Sequence, residues 1–230
     1  MKRLVPLGLA VALLLGIAIS FPTTNVKAQA GFVSSLMNRM ERNRQSLKSL
    51  RASIDMVKYN AQIGDEDKYK GVVLYLPAAG RNAYVRVDWS SPQIETLAVA
   101  DGKFTLCRPR LNMCYKGNSS SPKAKSGAAL EFMNMSRQQL ASRYDVQPIG
   151  EETLWGGVST SHVKLVPKGG ASFKYAEAWI DSQGMPVQTK VIEKNDDSTT
   201  VRLTNLQRNT SIPLGEFFLK LDRNIKIVQA

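Results

Sequence analysis

The chain has one histidine, His162, and two cysteines, Cys107 and Cys114, in 230 residues. His162 stands in an alternating segment, Val158 to Val166, and the sequence contains no Gly-x-Ser-x-Gly nucleophile elbow. It therefore reads as a structural strand histidine rather than as the base of a catalytic triad. Glu151-Glu152 and Asp196-Asp197 are acidic pairs at turn positions, where solvated carboxylates are ordinary. One imidazole and two sulfurs are too few ligands for a metal centre. Gly-rich phosphate loops, HExxH and EF-hand patterns are absent. No metal and no cofactor are expected, and the sequence argues against an enzyme.

The cysteines stand seven apart in Phe104-Thr-Leu-Cys107-Arg-Pro-Arg-Leu-Asn-Met-Cys114-Tyr115. Strand-like flanks about a turn at Pro109 to Asn112 predict a hairpin with Cys107 opposite Cys114. In an oxidising compartment the expected outcome is a cross-strand disulfide; two buried thiols are the alternative. Methionines form a second group: Met37, Met40, Met133 and Met135. Their thioether side chains are unbranched and polarizable, so they suit cargo of variable shape as well as gaps in a core.

The compartment follows from the first thirty residues. Met1-Lys2-Arg3 is cationic, Leu4 to Phe21 is apolar apart from small residues, Pro6 and Ser20, and the stretch ends in Ala28-Gln29-Ala30. These features predict a signal peptide over 1–30, cleaved after Ala30, with an uncleaved membrane anchor as the alternative. The remaining 31–230 is expected to form one domain with a sizeable core. Cleavage takes away Lys2, Arg3 and Lys27 and no acidic residue, so the formal charge falls from +12 to +9. The excess is spread out rather than interleaved with aromatics, which argues against nucleic acid and favours an anionic surface or acidic partner.

The elements that must position these residues are written in the periodicity. Val33, Leu36, Met40, Leu47 and Leu50, with Asn43 completing the series, fall at three- and four-residue steps and predict an amphipathic helix over 32–50. Arg39, Arg42, Arg44 and Lys48 form its solvated side. Alternating segments near 55–63, 69–77, 82–90, 93–100, 103–108 and 112–116 predict short strands at meander spacing. The Gly- and Ser-rich stretch 117–127 reads as a loop. Ala129, Phe132, Met133, Ser136 and Leu140 then predict a second amphipathic helix. Strands resume near 143–149, 158–166, 173–181, 187–194, 199–207, 216–221 and 225–229, with Asp181-Ser-Gln-Gly184 and Asn195-Asp-Asp197 as hairpin turns. A long antiparallel sheet must curl, and its inner face needs cover. The expected fold is mainly β with helices: an incomplete antiparallel β-barrel, a curled sheet of about eleven strands under helical lids. Strand parity and the helix stripes place Val85, Val87, Trp89, Leu97 and Val99 on the wall of its cavity, with Met37, Met40, Phe132 and Met133 contributed by the lids.

The ordered motifs resemble those of the LolA-like outer-membrane lipoprotein carriers. Tyr84-Val-Arg-Val-Asp-Trp89-Ser-Ser-Pro92 is followed by Glu95-Thr-Leu-Ala-Val-Ala-Asp101-Gly102-Lys103. The later half is similar in His162-Val-Lys-Leu-Val-Pro167, in Ala178-Trp-Ile-Asp-Ser-Gln-Gly-Met-Pro186 and in Thr204-Asn-Leu-Gln-Arg-Asn-Thr-Ser-Ile-Pro213. The resemblance covers nearly all of 31–230. It implies a monomeric periplasmic carrier that shields the acyl chains of lipoproteins in a hydrophobic cavity between the inner and outer membranes. Its implied partners are an inner-membrane release complex and an outer-membrane acceptor, and a carrier or sensor of another lipid or glycolipid is the alternative. The lid-latching arginine of that family corresponds to Arg81, where this chain has Arg81-Asn82 in place of the usual Arg-Pro. The cysteine pair is not a general feature of the family.

Overall fold

The computed structural model describes residues 24–78, 83–119, 132 and 135–229. Residues 1–23 of the expected signal peptide, Arg81 and Met133 lie outside the described residues. Helix α1 (Thr24–Ser46) runs across the expected cleavage point, with Gln29, Ala30 and Gly31 exposed. It stops four residues short of the expected end. Leu47 is buried in the link, and Leu50 opens the first strand.

Six strands follow: β1 (Leu50–Asn60), β2 (Asp65–Leu76), β3 (Tyr84–Ser91), β4 (Glu95–Ala100), β5 (Lys103–Arg108) and β6 (Met113–Asn118). Helix α2 (Arg137–Arg143) comes next, then β7 (Tyr144–Leu154), β8 (Val158–Pro167), β9 (Phe173–Asp181), β10 (Pro186–Glu193), β11 (Ser198–Arg208) and β12 (Lys226–Gln229). They form one twelve-stranded sheet in the order β12-β6-β5-β4-β3-β2-β1-β11-β10-β9-β8-β7. The sheet is curled and unclosed, as the periodicity requires, and all its pairs are antiparallel except β12 with β6. The strand expected over 216–221 is instead a 3-10 turn, Leu214–Phe217. Pro213 and Gly215 flank its first residue, and Phe217 packs with Leu74 and Ile212 on the outer face of the sheet.

Ser136, read as part of the second helical stripe, is the N-cap of α2 in a reciprocal capping box with Gln139. The hydroxyl satisfies a free helix N–H, which explains a polar residue at a stripe position. The β5–β6 turn is Pro109–Leu111 in 3-10 geometry, closed by Asn112 in left-handed conformation. It brings Cys107 opposite Cys114 with Cα atoms 4.1 Å apart, and the two are joined as a disulfide.

Candidate functional site

Alternation along the strands assigns each side chain to a face. On β3, Val85 lies between Tyr75 of β2 and Val99 of β4, and Val87 lies between Val73 and Leu97. Trp89 follows two residues on, opposite Gly71 and Glu95. All five expected wall residues are buried in one cluster with Phe104 and Leu106 of β5 and Ile54 and Met56 of β1. The strands come unusually close at Trp89. A Cβ on Gly71 would stand 2.3 Å from the Asp88 carbonyl oxygen, so only glycine permits this contact. Tyr69 meets the edge of the Trp89 ring at 5.8 Å between centroids. Burial pushes the Tyr75 phenol up to about 12, as an apolar surround does to an acid.

The expected helix residues belong to a second cluster. Leu36 and Met37 of α1, with Phe132, Met135 and Leu140, pack on Val163, Leu165, Ala176, Ala178, Ile180 and Val191 of β8–β10, and Met40 lies at its margin. The sequence placed wall and lid residues in one lining; the structure separates them onto two halves of the same concave face. Ala176 and Ala178 are the small residues of the sheet surface on which the Leu36 and Met37 side chains pack. One register row links the halves: Val163, Ala178, Thr189, Val201 and Met56 are successive partners from β8 to β1. Met56 pairs onward with Tyr69, which touches Trp89. An almost wholly apolar band therefore runs from beneath α1 to Trp89.

Few polar contacts hold α1. Arg39, read as solvated, donates from Nη2 to Ser161 Oγ at 2.8 Å, and Ser161 Oγ donates to Glu151 Oε1 at 2.9 Å. Asn43 Nδ2 meets Met185 Sδ at 3.6 Å, so this member of the stripe does face inward. Glu41 accepts from the Arg137 N–H at 3.0 Å, joining α1 to α2. The Arg44 guanidinium, helped by the Arg137 N–H and the Gln45 amide against the opposing effect of burial, holds the Glu41 carboxyl down to about 2. That lies below its ordinary 4.5. A lowered acid contributes stability above its unfolded pKa and loses it as pH falls through the folded one. The α1–α2 contact is thus expected to weaken between about pH 4.5 and 2. Amide exchange at Arg137, corrected for intrinsic rate, checks this: protection should fall on acidification in wild type and be uniformly low in Glu41→Gln. Equal protection at pH 6 and pH 2 in wild type would rule it out.

His162 lies on the opposite face from Ser161, so the neighbours form no Ser–His pair. It is buried, stacked on Trp179 at 4.0 Å, with Nδ1 3.0 Å from Glu152 Oε2. Trp179 Nε1 donates to the same oxygen at 2.8 Å. Glu151 and Glu152 are therefore exposed strand residues of β7 with specific partners rather than turn acids. Their strand alternates too weakly in sequence to reveal this. Asp197 does sit in a turn, where its Oδ1 accepts from the Ala61 N–H at 2.8 Å. Among the described residues, no group of three or more His, Cys, Asp or Glu is placed to hold a metal ion, and no helix is long and apolar enough to cross a membrane.

Neither a protein-family profile nor a curated protein matches the sequence. Solved structures do match the fold. An uncharacterized conserved protein from Thermus thermophilus superposes with TM-score 0.56 at 13% identity, covering 86% of this chain and 99% of that one. LprF from Mycobacterium bovis gives 0.51 at 11%, over 80% and 97%. A chain of the Pseudomonas aeruginosa MucA/MucB complex gives 0.51 at 14%, over 82% of this chain and 61% of that one. At these identities the likeness is one of fold. An open curled sheet under helices is the architecture expected from the sequence, and this chain has it.

Proposed function

We propose that the concave face takes up acyl chains and that the protein is a periplasmic lipoprotein carrier, cleaved after Ala30 and monomeric. It receives cargo from an inner-membrane release complex and gives it to an outer-membrane acceptor. The observation that carries this reading is the apolar band from α1 to Trp89. An acyl chain that displaced α1 from β8–β10 would find a surface continuous with the Val85, Val87, Leu97 and Val99 wall, and the helix is held there by few polar bonds. Arg81 belongs to this reading as the residue that holds the closed, empty state. A second reading, a carrier or sensor of another lipid, uses the same apolar face, since a fold does not fix its cargo.

Two measurements test the proposal. Organic extraction of the purified protein should yield lipopeptide; free lipid would favour the second reading, and an empty protein that takes up neither added lipopeptide nor added phospholipid or glycolipid would end both. Trp155 is 87% exposed and would dominate any fluorescence signal, whereas Trp89 and Trp179 are buried. In a Trp155→Phe background, a lipopeptide with a nitroxide on its acyl chain should quench Trp89. Unchanged emission on saturating addition would take Trp89 out of the binding path.

A further inference from the structure

We propose that the rim formed by the β5–β6 turn and the C-terminal segment 220–227 is a docking surface for an anionic lipid bilayer. Leu111, at the tip of the turn, is 58% exposed, and Ile94, at the next hairpin tip along the same rim, is 61% exposed. Such aliphatic side chains face water at a cost unless something covers them. Four cations belong to this rim: Arg110 next to Leu111, Lys226 bonded to Asn112 through its N–H, Arg223 one residue before the Asn224 carbonyl that Asn112 bonds, and Lys220 beside Pro109 and Asn112. None of them forms an ion pair among the described residues. Asp222 is the one acidic residue in the segments 109–112 and 219–229.

The platform is braced. Asn112 Nδ2 donates to the Asn224 carbonyl at 3.2 Å, the Lys226 N–H donates to the Asn112 carbonyl at 3.0 Å, and the Cys107–Cys114 disulfide closes the hairpin below. β12 continues the brace by pairing with β6, setting Ile227 beside Cys114. The chain therefore holds Arg110, Leu111, Arg223 and Lys226 together at one end of the sheet without help from a partner.

Protruding aliphatics within a field of unpaired cations are the composition of a surface that inserts shallowly among anionic headgroups. A fluid bilayer suits separate tips, because it needs no shape complementarity, whereas a folded acidic partner would need a continuous matching patch. A second copy is disfavoured because an isologous contact would bring two cationic rims together. The limit of the surface is also marked. The β1–β2 tip presents Ile63, 74% exposed, but Asp65, Glu66 and Asp67 follow it and would repel an anionic membrane. Docking uses none of the concave wall, so it stands or falls apart from the carrier reading.

The test is flotation of the cargo-free protein, produced from the full chain, with vesicles of phosphatidylethanolamine and phosphatidylglycerol against vesicles of phosphatidylcholine alone. Wild type should float with the anionic vesicles at low salt and lose most of that binding at high salt. Each cation near such a surface is worth roughly fivefold in partitioning, so Arg110→Glu/Arg223→Glu/Lys226→Glu should bind at least about a hundredfold more weakly. Leu111→Ser should weaken binding severalfold, and Ile63→Ser should leave it unchanged. These positions are exposed, so the variants should keep the wild-type melting temperature. Equal binding by wild type and the triple variant, equal flotation with both vesicle types, or no flotation at all overturns the proposal. So does a basic rim that is needed only for self-association in sedimentation.

Discussion

Gly184→Ala is expected to destabilise the protein by about 3–5 kcal/mol and to free α1 from the sheet. Gly184 has φ +90°, which L side chains rarely adopt, and a Cβ there would lie 2.3 Å from the Arg39 carbonyl oxygen and 2.8 Å from the Met40 nitrogen. Both atoms are helix backbone, so neither can rotate away. The β9–β10 turn and α1 must separate, taking with them the Asn43 contact to Met185 and the Arg39 bond to Ser161. Urea unfolding gives the stability loss, and amide exchange along 36–44 locates it. A loss under about 1 kcal/mol, with α1 still protected, would mean that the helix does not rest on this turn.

Asp181→Ala should cost about 3 kcal/mol. The carboxylate is buried and does three things at once: Oδ1 accepts the Gln183 N–H at 2.9 Å and the Met185 N–H at 2.8 Å, and Oδ2 meets Arg208 Nη2 at 2.5 Å. Charged hydrogen bonds contribute about 1.5–3 kcal/mol each, not additively, and an unpaired buried cation adds to the loss. The Arg208 side chain is 24% exposed, so partial hydration keeps the total near the lower end. Asp181→Ala/Arg208→Met should recover part of the stability, because it removes the orphaned guanidinium. If the double variant is no more stable than Asp181→Ala, the ion pair is not the source of the effect.

The sheet was legible because its strands alternate. Tyr84 to Trp89 reads polar and apolar by turns, and its register sets Val85 and Val87 against Val99 and Leu97 as that parity requires. The disulfide was legible because seven residues and a Pro-x-x-Asn turn leave the two sulfurs little choice. What failed locally failed for stated reasons. Ser136 sits at a helical spacing, yet its hydroxyl serves a cap. The 216–221 stretch is apolar enough for a strand, but Pro213 and Gly215 favour the 3-10 turn that seats Phe217 on the outer face.

Side-chain pattern alone therefore determined that the chain forms a curled sheet with an apolar inner face and helices to cover it, since alternation and the helical stripe are properties of neighbouring residues. Which half of that face the helices cover was decided only by the tertiary structure. It depends on Gly184 having no side chain where the α1 backbone meets the β9–β10 turn, and on partners such as Arg39 and Ser161 that lie 122 residues apart. The same holds for the rim. Leu111 and Arg110 are near neighbours of Cys114 in sequence, but Arg223 and Lys226 join them only because β12 pairs with β6. Nothing local in four residues announces a parallel pairing. It is stabilised by free hydrogen-bonding groups on the β6 edge, which exist only once the other strands have been laid down.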